Sequence, residues 1–386
     1  MPAGRGVRVD KLGVVITALA AYALLISPFA TFRANRIVPG DPVGLLNAVA
    51  TPVNGLVLAL LIAIALLALV KTSVIARLVA SVVAIVALCL AIGLAAQHLT
   101  PEGNSYARVA PASGFWLLLF AFALMATDAL TRLQPPPGVR ILALLVTALG
   151  IAALLKSGSW DGLSILKEYS TRAASFWREV GTHVTLALGS LAAATVIGLP
   201  LGLLCHRIRP LRAAVLNSLN IIQTIPSIAL FGLLIAPLGW IATHVPGASA
   251  VGIAGIGAAP AFVALFLYSL LPVVANTVTG LAGVPQAAVD AARGVGMTLW
   301  QRLTKIELPL AFPVILTGIR IVLVQNIGLA TIAALIGGGG LGVFVFQGVG
   351  QTAMDLVLLG AVPTVAMAFA AAVLLDAIID KVRMQA

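Results

Sequence analysis

The chain has 386 residues, of which 61% are hydrophobic and only 9% charged, and its mean hydropathy is +1.12. A soluble protein needs more charged residues than this to cover its surface. The composition therefore excludes soluble enzymes and predicts an integral membrane protein. The net charge of +11 would suit a nucleic-acid partner, but basic residues beside apolar spans more often report membrane orientation.

Ten apolar runs, each close to the length that a helix needs to cross a bilayer, follow one another along the chain. They lie near residues 12–31, 54–70, 78–97, 113–127, 140–155, 183–205, 213–239, 250–275, 310–335 and 357–379. The first run is longer than a usual signal-peptide core and no small-residue cleavage site follows it, so a span is favoured over a cleaved signal. The sequence therefore predicts an all-α membrane protein with about ten transmembrane helices.

The basic residues predict the orientation of these spans. Lys and Arg are about twice as frequent in the segments that lie inside when the amino terminus is cytoplasmic. Arg5, Arg8 and Lys11 precede the first span, and Lys381 and Arg383 follow the last. We therefore expect both termini in the cytoplasm.

A polar stretch at residues 156–182 divides the predicted spans into two groups of five. Its apolar residues approximate a helical stripe, so a short amphipathic helix on the outer membrane surface is expected, with a solvated loop as the alternative. The predicted organisation is a five-span extension over 1–155, an external linker over 156–182 and a second membrane domain over 183–380.

A polar island, residues 284–309, separates the eighth and ninth spans. Pro285 and the alanines after it favour a helix, and Gly296 favours a break. Thr298 with Gln301 forms a capping-box pattern that opens a second helix. The island is therefore expected to form a helical elbow on the cytoplasmic side.

The second helix of the elbow is expected to be amphipathic, with Leu299 and Ile306 on one face and Arg302 and Lys305 elsewhere. Pro309 is expected to restart the chain into the next span. Such a rigid element would give a soluble partner a surface to push, although an amphipathic loop could equally rest on lipid.

The elbow also contains a spaced motif: Asp-Ala-Ala at 290–292, then Gly296, then Ile306, Leu308 and Pro309. This motif resembles the EAA, glycine, I-x-LP signature of the membrane subunits of ATP-binding-cassette (ABC) importers, with an aspartate in place of the glutamate. In that family the loop is the coupling region that docks into a groove of the ATPase subunit.

Three longer phrases narrow the resemblance. NIIQTIPSIALFGLL at 220–234, LYSLLPVVANTVTGL at 267–281 and IGLATIAALIGGGGLG at 327–342 are similar to permeases for glycine betaine, choline and related osmoprotectants. The resemblance covers roughly residues 163–380. Similar five-span extensions occur in a longer branch of that group.

The resemblance implies a type I importer permease core and a set of ATPase-coupling residues. These are Asp290, Ala291, Ala292, Arg293, Gly296, Ile306, Leu308 and Pro309. It also implies a pair of cytoplasmic ABC ATPase subunits that bind ATP and Mg, a second permease copy or paralogue, an external substrate-binding protein and the bacterial cytoplasmic membrane as location. The chain itself is expected to be a transport subunit without a cofactor.

Polar residues in or beside the second group of spans are candidates for the translocation pathway. They are Asn220, Gln223, Thr224, Ser227, Asn276, Arg320, Gln325 and Asn326. Any one of them could instead be a polar contact between helices. Arg320, a charge inside the ninth span, either faces protein or water or snorkels to the interface.

Other features are assigned no chemistry. IGGGGLG at 336–342 lacks the lysine and the Ser/Thr of a phosphate-binding loop, so ATP hydrolysis is expected in another subunit. Its glycines favour irregular backbone at the outer mouth, with a tight helix contact as the alternative. Cys89 and Cys205 fall within predicted spans and the four histidines are scattered, so neither a disulfide framework nor a metal site is predicted.

The predicted function is import of a small osmoprotectant by alternating access that a separate ATPase drives. An importer of methionine or another amino acid, an ATP-independent secondary transporter and a membrane sensor remain alternatives. A secondary transporter would need membrane carboxylates for ion coupling, and only Asp376 approaches that description.

Overall fold

The computed structural model describes residues 9–36, 38–101, 103–104 and 106–384, so Arg5 and Arg8 of the predicted orientation signal lie outside it. Most of the described chain is helical, as composition predicts. The chain divides into two compact units. The N-terminal unit comprises Met1–Pro136 and Leu145–Thr171, and the C-terminal unit comprises Pro137–Leu144 and Arg172–Ala386.

The N-terminal unit consists of apolar helices and one small sheet. The helices are α1 (Lys11–Leu25), α2 (Leu45–Ala48), α3 (Val53–Leu69), α4 (Val74–Leu99) and α5 (Ser113–Leu133). The strands are β1 (Ala30–Arg33), β2 (Asp41–Val43) and β3 (Arg108–Pro111), and the antiparallel order is β2-β1-β3. The sequence did not predict this sheet, because strands of three or four residues leave too short a pattern.

Small residues bring the helices of the N-terminal unit close together. α1 packs against α3 and α5. A Cβ at Gly13 would lie 1.8 Å from the carbonyl oxygen of Ala68, so only glycine fits where α1 meets the end of α3. Phe29, Phe122 and Leu118 are almost fully buried in the core between these helices.

A buried group of charges joins the beginning of α1 to α4 and α5. Asp10 accepts the backbone N–H groups of Leu12 and Gly13, which caps α1. Its other carboxylate oxygen lies 2.9 Å from the guanidinium of Arg77, which is 2% exposed. Asp128 and Arg132 of α5 pair with each other at 2.9 Å beside them. Opposite charges thus compensate each other in an apolar setting.

Two long helices supply residues to both units, α6 (Pro137–Lys156) and α7 (Ser164–Arg207). The C-terminal unit continues with further helices. They are α8 (Arg209–Thr224), α9 (Ser227–Leu233), α10 (Ile235–His244), α11 (Ala258–Ala282), α12 (Gln286–Gly294), α13 (Leu299–Arg302), α14 (Leu308–Leu329), α15 (Gly342–Gly350) and α16 (Met354–Arg383). Short 3-10 segments at Ser249–Val251 and Ile332–Ile336 and a π-helical turn at Leu303–Glu307 complete it.

Within the described residues, eight helical stretches are long and apolar enough to cross a membrane. α1 and α3 are apolar but shorter, with 15 and 17 residues. A helix of 15 residues rises about 22 Å, less than the roughly 30 Å of a hydrocarbon core. The predicted count of ten spans therefore stays a prediction.

Three predicted boundaries were wrong. The run at 213–239 is not one helix, because Pro226 cannot donate an N–H group and holds Ile225 extended, so the chain breaks between α8 and α9. The run at 250–275 becomes helical only at Ala258, after Gly257 with φ +110°. The ninth helix ends at Leu329 rather than 335.

The predicted linker at 156–182 contains the helix that was expected there. The structure is helical from Ser164 to Arg207, and Arg172, with the non-helical angles φ −132° and ψ 16°, divides this stretch into two helices at a kink. The position of residues 156–182 outside the membrane stays a prediction.

Glycines also bring α11 and α14 into close contact in the C-terminal unit. A Cβ at Gly280 would lie 2.9 Å from the carbonyl oxygen of Ala311, and one at Gly318 would lie 2.7 Å from Cβ of Asn276. Two small residues on facing helices permit such an approach in a bilayer. We infer that α11 and α14 pack as one rigid pair.

The buried charge group around Asp10 should be important for stability. Asp10→Ala removes the cap of α1 and leaves Arg77 buried without its closest partner, so we expect the free energy of unfolding to fall by about 3 kcal/mol. Equilibrium unfolding in mixed detergent micelles measures this change. Arg132→Gln is the control, since that side chain is half exposed and should cost less than about 1 kcal/mol. Equal losses for both variants would contradict the assignment.

Candidate functional site

Gly296 ends helix α12 in a Schellman motif. Its φ is +76°, and its N–H donates to the carbonyl of Arg293 at 3.0 Å. The N–H of Met297 donates to the carbonyl of Ala292 at 3.1 Å. This pair of bonds requires a left-handed residue at position 296, which favours glycine. The left-handed backbone at position 296 thus explains locally why the predicted coupling motif has a glycine there.

The capping box that the sequence predicts at the next helix is present. Gln301 N–H donates to the Thr298 hydroxyl at 3.3 Å, and the Gln301 side chain accepts the Thr298 N–H at 2.9 Å. The turn between α12 and α13 is therefore closed at both ends by local bonds. We call residues 286–302 the coupling loop.

Glu307 binds the coupling loop to α7 through two ion pairs, one buried and one with a partly exposed arginine, which sequence reasoning missed. Its carboxylate lies 2.8 Å from Nε of Arg302 and 2.7 Å from Nη2 of Arg207 at the end of α7. Arg302 and Glu307 are each only 5% exposed. Arg302, which was expected away from the apolar face of this helix, has its charge paired inside the protein.

The backbone between these partners takes a π-helical turn, Leu303–Glu307. In a regular α-helix, residues five apart are rotated by about 140°, so Arg302 and Glu307 would face different sides. A π turn bonds residues five apart and reduces this separation. Pro309 lies in the first turn of α14, as expected of a residue that restarts the chain, and the helical run continues without a loop from Leu299 to Leu329.

The remaining residues of the predicted coupling motif divide into exposed and packed ones. Asp290 is exposed and pairs with Arg293 at 3.3 Å, and Ala291 is also exposed. Ala292 is 4% exposed. Ile306 and Leu308 are half-buried, the latter against a core that includes Leu303.

The coupling loop carries an apolar surface that nothing else in the described chain covers. Val295, Leu299 and Trp300 are 74%, 70% and 71% exposed. They adjoin the turn at Gly296. Exposed aromatic and aliphatic side chains at a rigid, capped turn are suited to a protein interface.

Four of the predicted pathway residues line one cavity of about 290 Å³ in the C-terminal unit. They are Gln223, Thr224, Ser227 and Gln325, and the other lining residues are Ile225, Pro226, Tyr268 and Leu329. The lining contains no charged side chain. The break at Pro226 creates this space, because α8 and α9 stop being one helix there.

Polar bonds hold the wall of the cavity in place. The Gln223 amide donates to the Tyr268 carbonyl at 2.8 Å, and the Tyr268 hydroxyl donates to the Ile225 carbonyl at 2.5 Å. The second bond satisfies a carbonyl at the end of α8. Amide, hydroxyl and aromatic groups thus surround a small uncharged space.

The other pathway candidates lie elsewhere. Asn326 is fully buried and bonds the hydroxyls of Ser190 and Ser269 at 2.9 Å each, which is the arrangement of a polar contact between helices. The Asn276 amide donates to Pro272 in its own helix, and Asn220 is exposed. Arg320 pairs with Asp376 of α16 at 3.0 Å.

A carboxylate and an imidazole of α7 hold the glycine-rich turn 337–341. The Glu179 carboxylate accepts the N–H of Gly340 at 2.7 Å. His183 is fully buried; the N–H of Leu341 donates to its Nδ1 at 3.3 Å, and its Nε2 lies 2.9 Å from the Ile327 carbonyl. Because Nδ1 accepts, the proton is on Nε2, which donates to that carbonyl. We call this arrangement the glycine clamp.

The glycine clamp explains why side chains are excluded from this turn. Gly339 and Gly340 have φ of +75° and +85°. A Cβ at Gly339 would lie 2.9 Å from a Glu179 oxygen, and one at Gly340 would lie 3.2 Å from Nδ1 of His183. The expectation of irregular backbone at these glycines is confirmed. His183, to which the sequence assigns no chemistry, has a structural role here that no local pattern indicated.

These features together are typical of a membrane transport subunit with an exposed apolar surface on its coupling loop. Comparison with known proteins agrees with this class. Residues 194–384 match the family model described as binding-protein-dependent transport system inner membrane component. Residues 10–166 match a second model, described as the N-terminal domain of ABC transporter permease YehY.

Relatives with known names match about half of the chain and most of their own length. The osmoprotectant import permease protein OsmW of Salmonella typhimurium is 45% identical over 179 residues, which are 46% of this chain and 78% of that protein. The glycine betaine/carnitine/choline transport system permease protein OpuCB of Bacillus subtilis is 35% identical over 51% of this chain and 84% of that protein. A solved structure of the MetNI methionine ABC transporter is 25% identical, with a TM-score of 0.46, over 54% of this chain and 97% of that chain.

The chain therefore belongs to the family of binding-protein-dependent transport system inner membrane components. It is the permease subunit of an ABC importer.

The glycine clamp should control local order in the turn. Glu179→Ala leaves the buried N–H of Gly340 without its acceptor, which costs about 1–3 kcal/mol, whereas Glu179→Gln keeps an acceptor oxygen. We expect hydrogen exchange of residues 337–341 to accelerate at least tenfold in the alanine variant and much less in the glutamine variant. Ser170→Ala, at an exposed position of α7 whose hydroxyl donates to the Lys167 carbonyl, is the control. Unchanged protection in Glu179→Ala would show that the bond does not hold the turn.

Proposed function

We propose that this chain forms the membrane pathway for glycine betaine or a related osmoprotectant. The names of the relatives support this cargo, since OsmW is an osmoprotectant import permease and OpuCB is a permease for glycine betaine, carnitine and choline. The cavity at Gln223 and Gln325 supports a small solute without net charge, because amide and hydroxyl groups line it and charged groups do not.

The observation that carries the proposal is one helical run, Leu299–Leu329. Its beginning bears the exposed side chains of Leu299 and Trp300. Its end supplies Gln325 and Leu329 to the cavity wall. At about 1.5 Å per residue the run is about 46 Å long. A rigid element of that length can transmit displacement of the coupling loop to the cavity.

The partner that fits the coupling loop is a cytoplasmic ABC ATPase. In the proposed assembly a pair of ATPase subunits binds ATP and Mg, and each contacts a coupling loop through Val295, Leu299, Trp300 and the Asp290–Arg293 region. A second permease copy or a paralogue completes the pore, and an external substrate-binding protein delivers the solute. The termini lie in the cytoplasm and the subunit in the bacterial inner membrane.

The three predicted regions keep distinct roles in this proposal. Residues 183–380 form the permease domain, and 284–309 include its coupling loop. Residues 1–155 form the N-terminal membrane extension, and 156–182 connect it to the permease domain.

The apolar surface of the coupling loop should determine affinity for the ATPase. Trp300→Ala removes an exposed aromatic side chain at a rigid turn, and we expect the permease to bind its cognate ATPase about 30-fold more weakly. Trp240→Ala is the matched control, because Trp240 is 59% exposed but lies outside the loop. Binding is measured by surface plasmon resonance in detergent or nanodiscs. Equal affinities of Trp300→Ala and Trp240→Ala for the ATPase would show that the coupling loop is not part of the interface.

The cargo is tested by uptake of radiolabelled glycine betaine into proteoliposomes that contain the permease, its ATPase and its binding protein. We expect uptake only with ATP on the ATPase side. Gln325→Ala, in the cavity wall, should reduce uptake about tenfold or more because it removes a polar group that the proposed solute contacts, whereas Asn220→Ala, exposed and outside the cavity, should not.

The outcomes separate mechanism from cargo. Gly296→Pro cannot adopt φ +76° and should abolish ATP-dependent uptake, while Gly294→Ala nearby should retain it. Uptake that is the same with and without ATP, and the same in Gly296→Pro as in the unmodified chain, would support a secondary transporter instead. ATP-driven uptake of methionine or another amino acid, with none of betaine, would retain the mechanism and replace the cargo.

A further inference from the structure

Two arginines of the small sheet in the N-terminal unit lie side by side. Arg33 of β1 is the direct cross-strand partner of Arg108 of β3. Directly paired residues of an antiparallel sheet project from the same face, and like charges at such positions are destabilising. An unfavourable pair of this kind indicates that a negative group compensates it.

No described carboxylate compensates these two side chains. Among residues 9–36, 38–101, 103–104 and 106–384, none lies within ion-pair distance of Arg33 or Arg108, although Arg36 nearby pairs with Glu168 at 3.4 Å. The Nε atoms of Arg33 and Arg108 are both buried and make no hydrogen bond there. The side chains themselves are only partly buried. Two shielded Nε donors without an acceptor are costly, so this arrangement fits a ligand that supplies oxygen atoms.

A third cationic group belongs to the same place. The ammonium group of Lys167 donates to the carbonyl of Ala107 at 2.8 Å, one residue before Arg108. We call Arg33, Arg108 and Lys167 the basic cluster. Guanidinium groups with an ammonium group beside them are the donors that bind phosphate oxygens.

An apolar groove lies at the other end of the same sheet. Its volume is about 460 Å³, and its lining includes Leu25 at the end of α1, Gly44 directly after β2, and Ile62 of α3. Ala30, at this end of β1, pairs with Val43 of β2. From Ala30 to Arg33 is three residues, or about 10 Å along the strand. The apolar groove and the basic cluster thus lie near opposite ends of the small sheet. The groove has the size and lining for a hydrocarbon chain.

We propose that the N-terminal unit binds one anionic phospholipid, with its phosphate at the basic cluster and an acyl chain in the apolar groove. A free phosphate ion would satisfy the cluster but not the groove. The side chains of an acidic protein surface would likewise leave the groove empty. A phospholipid provides both chemistries at a separation of this size, and three uncompensated cations favour one with a net negative charge.

The test is native mass spectrometry of the full-length chain in detergent, titrated with phosphatidylglycerol, phosphatidylcholine or inorganic phosphate. We expect retention of one phosphatidylglycerol, with weaker retention of phosphatidylcholine. The double variant Arg33→Gln/Arg108→Gln should weaken retention about tenfold or more. Arg33→Lys/Arg108→Lys should keep most of it, and Arg36→Gln is the matched control. Ile62→Trp, which fills the groove, should also weaken retention.

Each outcome decides the proposal. If the glutamine pair does not fold, the single variant Arg108→Gln provides the measurement. Displacement of the lipid by millimolar inorganic phosphate, with no effect of Ile62→Trp, would replace the lipid with a free anion. Loss of retention in Arg36→Gln equal to that in the glutamine pair, or no retained lipid in the unmodified chain, would overturn the site.

Discussion

The buried carboxylate of Glu307 is the constraint on which the geometry of the coupling loop depends. A charge that is only 5% exposed must be paired, and both of its partners are arginines, one in the loop and one at the end of α7. The pairing with Arg302 accounts for the π turn, and the pairing with Arg207 fixes the loop to a helix 100 residues away in sequence. The loop is therefore a rigid part of the helix bundle and not a flexible connection.

Rigidity continues from this point through the C-terminal unit. The run from Leu299 to Leu329 contains no break, and glycine contacts join its later part to α11. Near its end, Gln325 borders the cavity, and the carbonyl of Ile327 accepts from His183 of the glycine clamp. The coupling loop, the cavity wall and the glycine-rich turn are thus connected by one helix. Displacement at one end of such a helix cannot be absorbed locally, since packed helices shift between discrete arrangements rather than deform.

The sequence predicted features that local chemistry decides and missed those that depend on distant pairing. The cap at Gly296 and the capping box at Thr298 need only neighbouring residues, and both could be read from their spacing. Glu307 with Arg207 and His183 with Leu341 join residues 100 and 158 positions apart, and no local pattern indicates such pairs. Hydropathy joined α8 and α9 into one span because the average over Ile225, Pro226 and Ser227 stays apolar, although the proline itself marks the break.

The N-terminal unit raises a different question, because the transport-component family model matches residues 194–384, whereas residues 10–166 match a separate N-terminal domain model. Within it, the charges around Asp10 compensate one another, as a group with a purely structural role should. The basic cluster at Arg33 and Arg108 has no carboxylate within ion-pair distance among the described residues, although its side chains are only partly buried. Adjacent like charges without a counter-charge are unfavourable for folding, and a bound anionic ligand from the membrane would compensate them.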